Sequence, residues 1–251
     1  MKLFDCSFNS PAENLACDEA LLDWCEENTG EEVLRFWESP TYFVVVGYAN
    51  KIATEVNVAN CEAKEIPILR RCSGGGTVLQ GRGCLNYALI LRIAENSPLA
   101  SISSANQFIM ERNRKAIESE VRSQKPEVGI SISGHTDLAL RHLPSDFRPL
   151  KFSGNSQRRH KNFLLFHGTF LLDFNLSLVS ECLRMPSKQP NYRSDRSHDS
   201  FLTNLNLSAD KVKAAMRKIW KAQSPLENPP LEKISELAHE KYLMHEWNWK
   251  F

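Results

Sequence analysis

Long apolar runs are missing from this 251-residue chain: the longest, such as YFVVVG at 42–47, fall far short of the ~20 residues a membrane helix needs. The amino-terminal MKLFDCSFNS has no apolar signal core. Its seven cysteines, at 6, 17, 25, 61, 72, 84 and 182, include no CxxC or CxxxC pair, and no Cys/His spacing matches a closed zinc site. An integral membrane protein or a secreted, disulfide-stapled one is therefore not expected; free thiols in a reducing, cytoplasmic compartment are. Excess charge is missing too. With 31 basic against 30 acidic residues the formal net charge is +1, so no overall field draws in nucleic acid, a membrane or a strongly acidic partner. Repeats and low-complexity tracts are also absent from the sequence.

What remains is an ordinary globular composition, 42% hydrophobic and 24% charged, enough for one sizeable core. From Pro11 to Cys25, Leu15, Ala16, Ala20, Leu21, Leu22 and Trp24 recur at roughly helical spacing, which predicts an amphipathic first helix capped near Asn9 or Ser10. VLRFW (33–37) and TYFVVVGY (41–48) read as successive buried strands with a turn at ESP. IPILRRCSGG then runs a strand into a glycine loop, and CLNYALILRI (84–93) leaves it as another. A surface helix is expected over 104–123, short strands at GISISG and TDLAL, and a pair of strands at LKFSGNSQRR and NFLLFHGTFLLDF after the polar stretch RHLPSDFRP. The last third, from Leu176, reads as mostly helical. SPLENPP (224–230) is the best linker candidate, yet only about one helix follows it, so residues 1–251 are expected to form one domain.

The most informative stretch is RRCSGGGTVLQGRGCLN, Arg70 to Asn86. Three successive glycines after a strand strip a bend of side chains and let backbone amides approach a ligand. Two arginines just before them add cationic donors suited to carboxylate or phosphate. No Lys-Ser/Thr follows the glycines, so this is no Walker loop, and TVL is β-forming, so it is no GxGxxG opening a helix. Glycines and charges alone leave two readings open, an anion-binding loop or a flexible hairpin with exposed arginines.

RRCSGGGTVLQGRGCLNYALIL resembles the signature of the lipoate-protein ligase family, within the biotin/lipoyl ligase and transferase superfamily. Further segments fall in the family's order: NLACDEALL (14–22), VLRFWESP (33–40), FVVVGYAN (43–50), SGHTDLAL (133–140), LKFSGNSQRR (150–159), FHGTFLLDF (166–174) and KYLMHEWNW (241–249). The resemblance implies an α/β fold: a mixed, mostly antiparallel sheet flanked by helices. It also implies a two-step reaction in which lipoate, ATP and Mg2+ give an enzyme-bound lipoyl-adenylate, and a lysine of an acceptor lipoyl domain then takes the acyl group. The acceptor would belong to a 2-oxoacid dehydrogenase E2 subunit or to the glycine-cleavage H protein.

On that resemblance Lys151 in LKFSGN is the catalytic ammonium, contacting carboxylate, phosphate and adenylate. Arg71, Gly76, Thr77, Val78 and Leu79 match the nucleotide-contacting stretch, with Arg71 ranked above Arg70 because adjacent strand residues face opposite sides. Ser73, Gly74, Gly75, Gly154 and His167 line the acyl end, and Trp37 walls an apolar tunnel. Asp137 contacts the adenylate or helps place Mg2+. Each residue also has an ordinary role open to it: a solvated lysine, a turn-bonded aspartate, a core histidine, a core tryptophan. The sequence departs from the family's pattern in places. Gln80-Gly81 stands where many relatives have His-Asp, and Thr136 where they have Asn. Larger ligases carry an accessory domain beyond the Trp-Asn motif, whereas this chain stops at Phe251. It is expected to activate lipoate alone, to use a separate accessory polypeptide, or to transfer a preformed acyl group.

The rival of the same fold is an octanoyl- or lipoyl-transferase that carries the acyl group on a cysteine. In relatives of that kind the cysteine sits shortly before the lysine segment, where this chain has GISISGHTDLAL. A non-catalytic acyl- or nucleotide-binding protein is the third reading. The basic stretch QPNYRSDRSHDS (189–200) reads as a solvated loop.

Overall fold

The structure, a computed structural model, describes residues 1–28, 31–142 and 148–251. Most of the polar stretch after TDLAL thus lies outside the described residues. The strands are β1 (Lys2–Asp5), β2 (Val33–Trp37), β3 (Phe43–Val46), β4 (Ile68–Arg70), β5 (Val78–Gln80), β6 (Cys84–Arg92), β7 (Val128–Ser133), β8 (Asp137–His142), β9 (Leu150–Arg159), β10 (Phe163–Leu171) and β11 (Ser224–Pro225). They form an eight-stranded sheet in the order β11-β1-β2-β6-β10-β9-β8-β7 and a three-stranded sheet in the order β4-β3-β5. β1 pairs in parallel with β2 and β11, and β3 with β4; the other pairings are antiparallel. This is the expected mixed, mostly antiparallel sheet.

VLRFW and FVVV are strands, as read, but they belong to different sheets. β2 pairs with β1 and β6, while β3 opens the small sheet. The break at Ser39–Pro40 therefore carries the chain from one layer to the next. SPLENPP is tied in, because β11 adds to the open edge of β1 and Leu226 N–H donates to Leu3 O at 2.8 Å.

Alternation along the strands splits the core into two faces. On one, Leu89, Phe166 and Phe170 pack under the helices Ile102–Gln124 and Ala209–Trp220. The first of these starts at the reciprocal Ser101/Ser104 capping box, and Ser208 caps the second. On the other face, Ala88, Leu165 and Trp37 meet α1 (Pro11–Asn28). That helix is buried along most of its length rather than amphipathic, because its inward polar residues have partners waiting. Asp18 meets Arg35 of β2, whose guanidinium also donates to Asn14 O at 2.8 Å. Glu19 accepts from Lys241 and from Tyr242. Among the described residues no helix is long and apolar enough to cross a membrane.

Candidate active site

A cavity of about 850 Å3 opens between the glycine loop and β9. Lys151, Asp137, Gly154, His167, Trp37, Arg71, Gly75, Gly76, Thr77, Val78 and Leu79 all line it. Of the residues expected at the site, Ser73 and Gly74 stand just outside the lining. The joining of a distant lysine and a bare glycine bend around one hollow is the arrangement the sequence pointed to. Leu15, Val45, Phe152, Leu171 and Phe174 give the cavity apolar walls suited to an aliphatic chain.

Lys151 is partly exposed and pairs with Asp137 Oδ1 at 2.8 Å; Tyr192 Oη donates to Oδ2 of the same carboxylate, also at 2.8 Å. Gly154 leaves room beside this pair: an added Cβ would sit 2.9 Å from the lysine nitrogen, which would have to move aside. Burial, with the Asp137 charge next in weight, pushes the Tyr192 hydroxyl far above its ordinary range, so it remains a donor. Tyr192 lies in the stretch read as a solvated loop. Its position on a short helical turn at Asn191–Arg193, tilted against Phe201 at 5.2 Å, has no signal in the sequence.

Arg71 differs from its expected role. Rather than reaching outward to a phosphate, its guanidinium is buried beneath the loop, donating to Gly74 O, to Gly76 O at 2.8 Å and to Ser73 Oγ at 3.1 Å. Burial pushes it down to about 10. Arg70 likewise ends on the carbonyls of Gly47, Tyr48 and Asn50 at 2.8–3.0 Å, with no carboxylate partner among the described residues. Gly47 is obligatory where the loop folds over β3, because a Cβ there would meet Gly75 O at 2.1 Å.

Behind the loop His167 is held at both ring nitrogens, Nε2 at 2.6 Å from Ser73 Oγ and Nδ1 at 3.0 Å from Asp18 Oδ2. Burial alone would raise the Asp18 carboxyl, but the Arg35 guanidinium and His167 together hold it below the usual carboxylate range. Asp18 was not expected at the site; the signal that points to it is Asn14 and Asp18 one turn apart on a helix whose other residues are largely buried. Two further buried groups in the lining have no partner among the described residues, Trp37 Nε1 and Gln80 Oε1, one a donor and one an acceptor.

The donor set does not fit magnesium. Both Asp137 oxygens are taken by Lys151 and Tyr192, and among the described residues no three His, Cys, Asp or Glu converge. Thiols are absent from the lining as well. Burial pushes Cys17, Cys25, Cys61, Cys72 and Cys84 up to about 12.

The fold and this lysine-and-glycine-loop cavity define a protein of the biotin/lipoyl ligase and transferase class. More narrowly, the chain belongs to the lipoyl protein ligase A/B catalytic domain family, whose model matches residues 10–220. It is 26% identical to octanoyltransferase LipM of Halalkalibacterium halodurans, with 99% of this chain and 98% of that one aligned. LipM of Bacillus subtilis (strain 168) is equally similar, at 26% with the same coverage. Among solved structures, the bi-partite lipoate protein ligase of Thermoplasma acidophilum superposes with a TM-score of 0.78 at 20% identity, covering 99% of this chain and 95% of that one. Lipoate-protein ligase A bound with ATP gives 0.74 at 19%, covering 99% and 98%.

The ATP-dependent lipoate ligase expected from the sequence is overturned by the full-length relatives, which are named octanoyltransferases. The physical reason it was misread is that one cradle suits both reactions. A fixed ammonium and bare backbone amides serve a carbonyl losing a thiolate as well as one losing a phosphate. ATP and Mg2+ lose their support with it.

Proposed function

We propose that this chain moves a medium-chain acyl group, octanoyl foremost, from a thioester donor onto a lysine amine of a lipoyl domain. Coverage supports the reading: end to end, the chain aligns with relatives named octanoyltransferases. The apolar cavity would hold the acyl chain. Lys151 would provide the fixed positive charge for the negative charge that develops as the C–S bond breaks, and Asp137 with Tyr192 would hold that ammonium in place. The acceptors would be lipoyl domains of 2-oxoacid dehydrogenase E2 subunits or the glycine-cleavage H protein, met in the cytoplasm, and residues 1–251 would act as one catalytic unit. A lipoyl group is the second acyl cargo the same walls admit.

The test is the mass of an apo lipoyl domain after incubation with the enzyme and an octanoyl-charged acyl carrier protein. An octanoyl gain without nucleotide is expected. If modification appears only with free acid plus ATP, or never, the reading is lost.

A further inference from the structure

A transferase whose relatives were expected to carry the acyl group on a cysteine has here no thiol in its cavity wall. Something else must receive the acyl group, or the acceptor amine must attack the donor directly. We infer that Ser73 is the acyl-carrying nucleophile, with His167 as its base and Asp18 as the residue that positions the ring; the inference rests on the transferase reading above.

Four observations converge on Ser73. An ionised carboxylate only accepts, so His167 Nδ1–H donates to Asp18 at 3.0 Å. In the neutral imidazole Nε2 is then the acceptor, and it lies 2.6 Å from Ser73 Oγ, the geometry of a nucleophile and its general base. Asp18 is itself held by the fully buried Arg35, so the ring cannot turn away. Arg71 Nε donates to Ser73 Oγ at 3.1 Å and favours the oxygen with its proton withdrawn.

The loop completes the site. A trans peptide points its C=O and N–H in opposite directions. Because Arg71 draws the Gly74 and Gly76 carbonyls inward, the Gly75 and Thr77 amides face the other way. Neither amide donates to a backbone acceptor among the described residues. These amides face away from the side on which Arg71 meets Ser73 Oγ, so the donor that steadies charge at the seryl oxygen is Arg71 Nε. Ser73 is 2% exposed and stands just behind the lining, next to His167, which does line the cavity. The acyl carbon approaches over Gly74 and Gly76, where an added Cβ would meet nothing within 4 Å.

The steps balance without a further reagent. Ser73 Oγ attacks the donor thioester, C–O forms and C–S breaks; the hydroxyl proton passes to His167 Nε2 and on to the departing thiolate. The acceptor lysine, as its free amine, then attacks the seryl ester. C–N forms, C–O breaks, and the amine proton returns through His167 to Ser73.

The experiment is intact-mass and peptide-mass analysis of the whole enzyme after exposure to octanoyl-charged carrier protein without acceptor. One octanoyl adduct on the Ser73 peptide, resistant to neutral hydroxylamine, is expected. Ser73→Ala should lose the adduct and slow acceptor modification about 10^3-fold or more. Ser73→Cys keeps the site occupied by a nucleophile of similar size and should give an adduct that hydroxylamine releases. Acceptor modification with no wild-type adduct, or undiminished in Ser73→Ala, would overturn the seryl intermediate alone. An adduct mapped to a cysteine would do the same. Failure of both adduct and acceptor modification would remove the transferase reading with it.

Discussion

The two walls of the cavity are built on different physical terms. The loop wall is braced from behind by buried donors: Arg71 and Arg70 on main-chain carbonyls, and Asp18 against Arg35 and His167. The opposite wall is a single ion pair, Lys151 with Asp137, of which the lysine side chain is 24% exposed, steadied by one tyrosine. Charges taken out of water hold their geometry only when every partner is present, whereas a partly exposed pair is worth less and gives way more easily. The first wall is a fixed mould for a carbonyl. The second is a weaker, partly exposed ion pair whose ammonium Asp137 and Tyr192 hold toward the hollow.

Removing Asp18 should break the fixed wall most severely. Asp18→Ala leaves Arg35 buried and unpaired, at a cost of roughly 3–5 kcal/mol, read as a fall in the urea midpoint. The pH dependence has a definite sign. Asp18 is held below its ordinary pKa of about 3.9, so its contribution is present above that value and drains away as pH falls through the folded one. Acid denaturation of the variant should lack that component; an unchanged acid limb would show that the pair contributes nothing.

Lys151→Ala should spare the fold and abolish most of the chemistry, about 10^2–10^3-fold in kcat for one lost charge donor. A midpoint that falls as far as the rate would mean the two walls are not distinct. Tyr192→Phe is milder, about tenfold in kcat with KM little changed, since it removes one hydrogen bond to the carboxylate that holds the lysine. A rise in KM alone would place Tyr192 in substrate binding instead.

How legible each wall was follows from what its chemistry asks of the chain. A bend without side chains asks for glycines in succession, and Lys151 was found by the LKFSGN segment; both are visible in one sequence. The direction in which Arg71 points is not, because RR before a glycine loop suits an outward phosphate clamp and an inward brace equally. The His167, Ser73 and Asp18 row joins positions far apart along the chain: β10 carries His167, α1 packed on the sheet carries Asp18, and the loop after β4 is tied to β9 where Ser156 Oγ–H donates to Gly74 O at 2.8 Å. The sheet order was expected in kind but not in detail, since nothing local says that β2 and β3 part company at Ser39–Pro40. The choice between ligase and transferase was not legible in the residues: GISISGHTDLAL holds no cysteine before Lys151, which spoke for the ligase, and the full-length relatives are named octanoyltransferases.

The smallest expected effect is the one that bears most directly on how the fixed wall works. With five thiols pushed up to about 12 by burial, only about one in 10^4 of each is thiolate at pH 8. Native enzyme treated with iodoacetamide at that pH should therefore keep its transfer rate, labelling at most Cys6, which is half-buried. Cys72→Ser and Cys84→Ser should likewise transfer at the wild-type rate, with a stability loss of about 1 kcal/mol as a small buried thiol gives way to a hydroxyl. Rapid inactivation that tracks with modification of Cys72, the thiol next to Ser73 in the chain, would mean that the loop opens far enough to expose its own underside. In that event the contrast between a fixed and a yielding wall would fail at its fixed end.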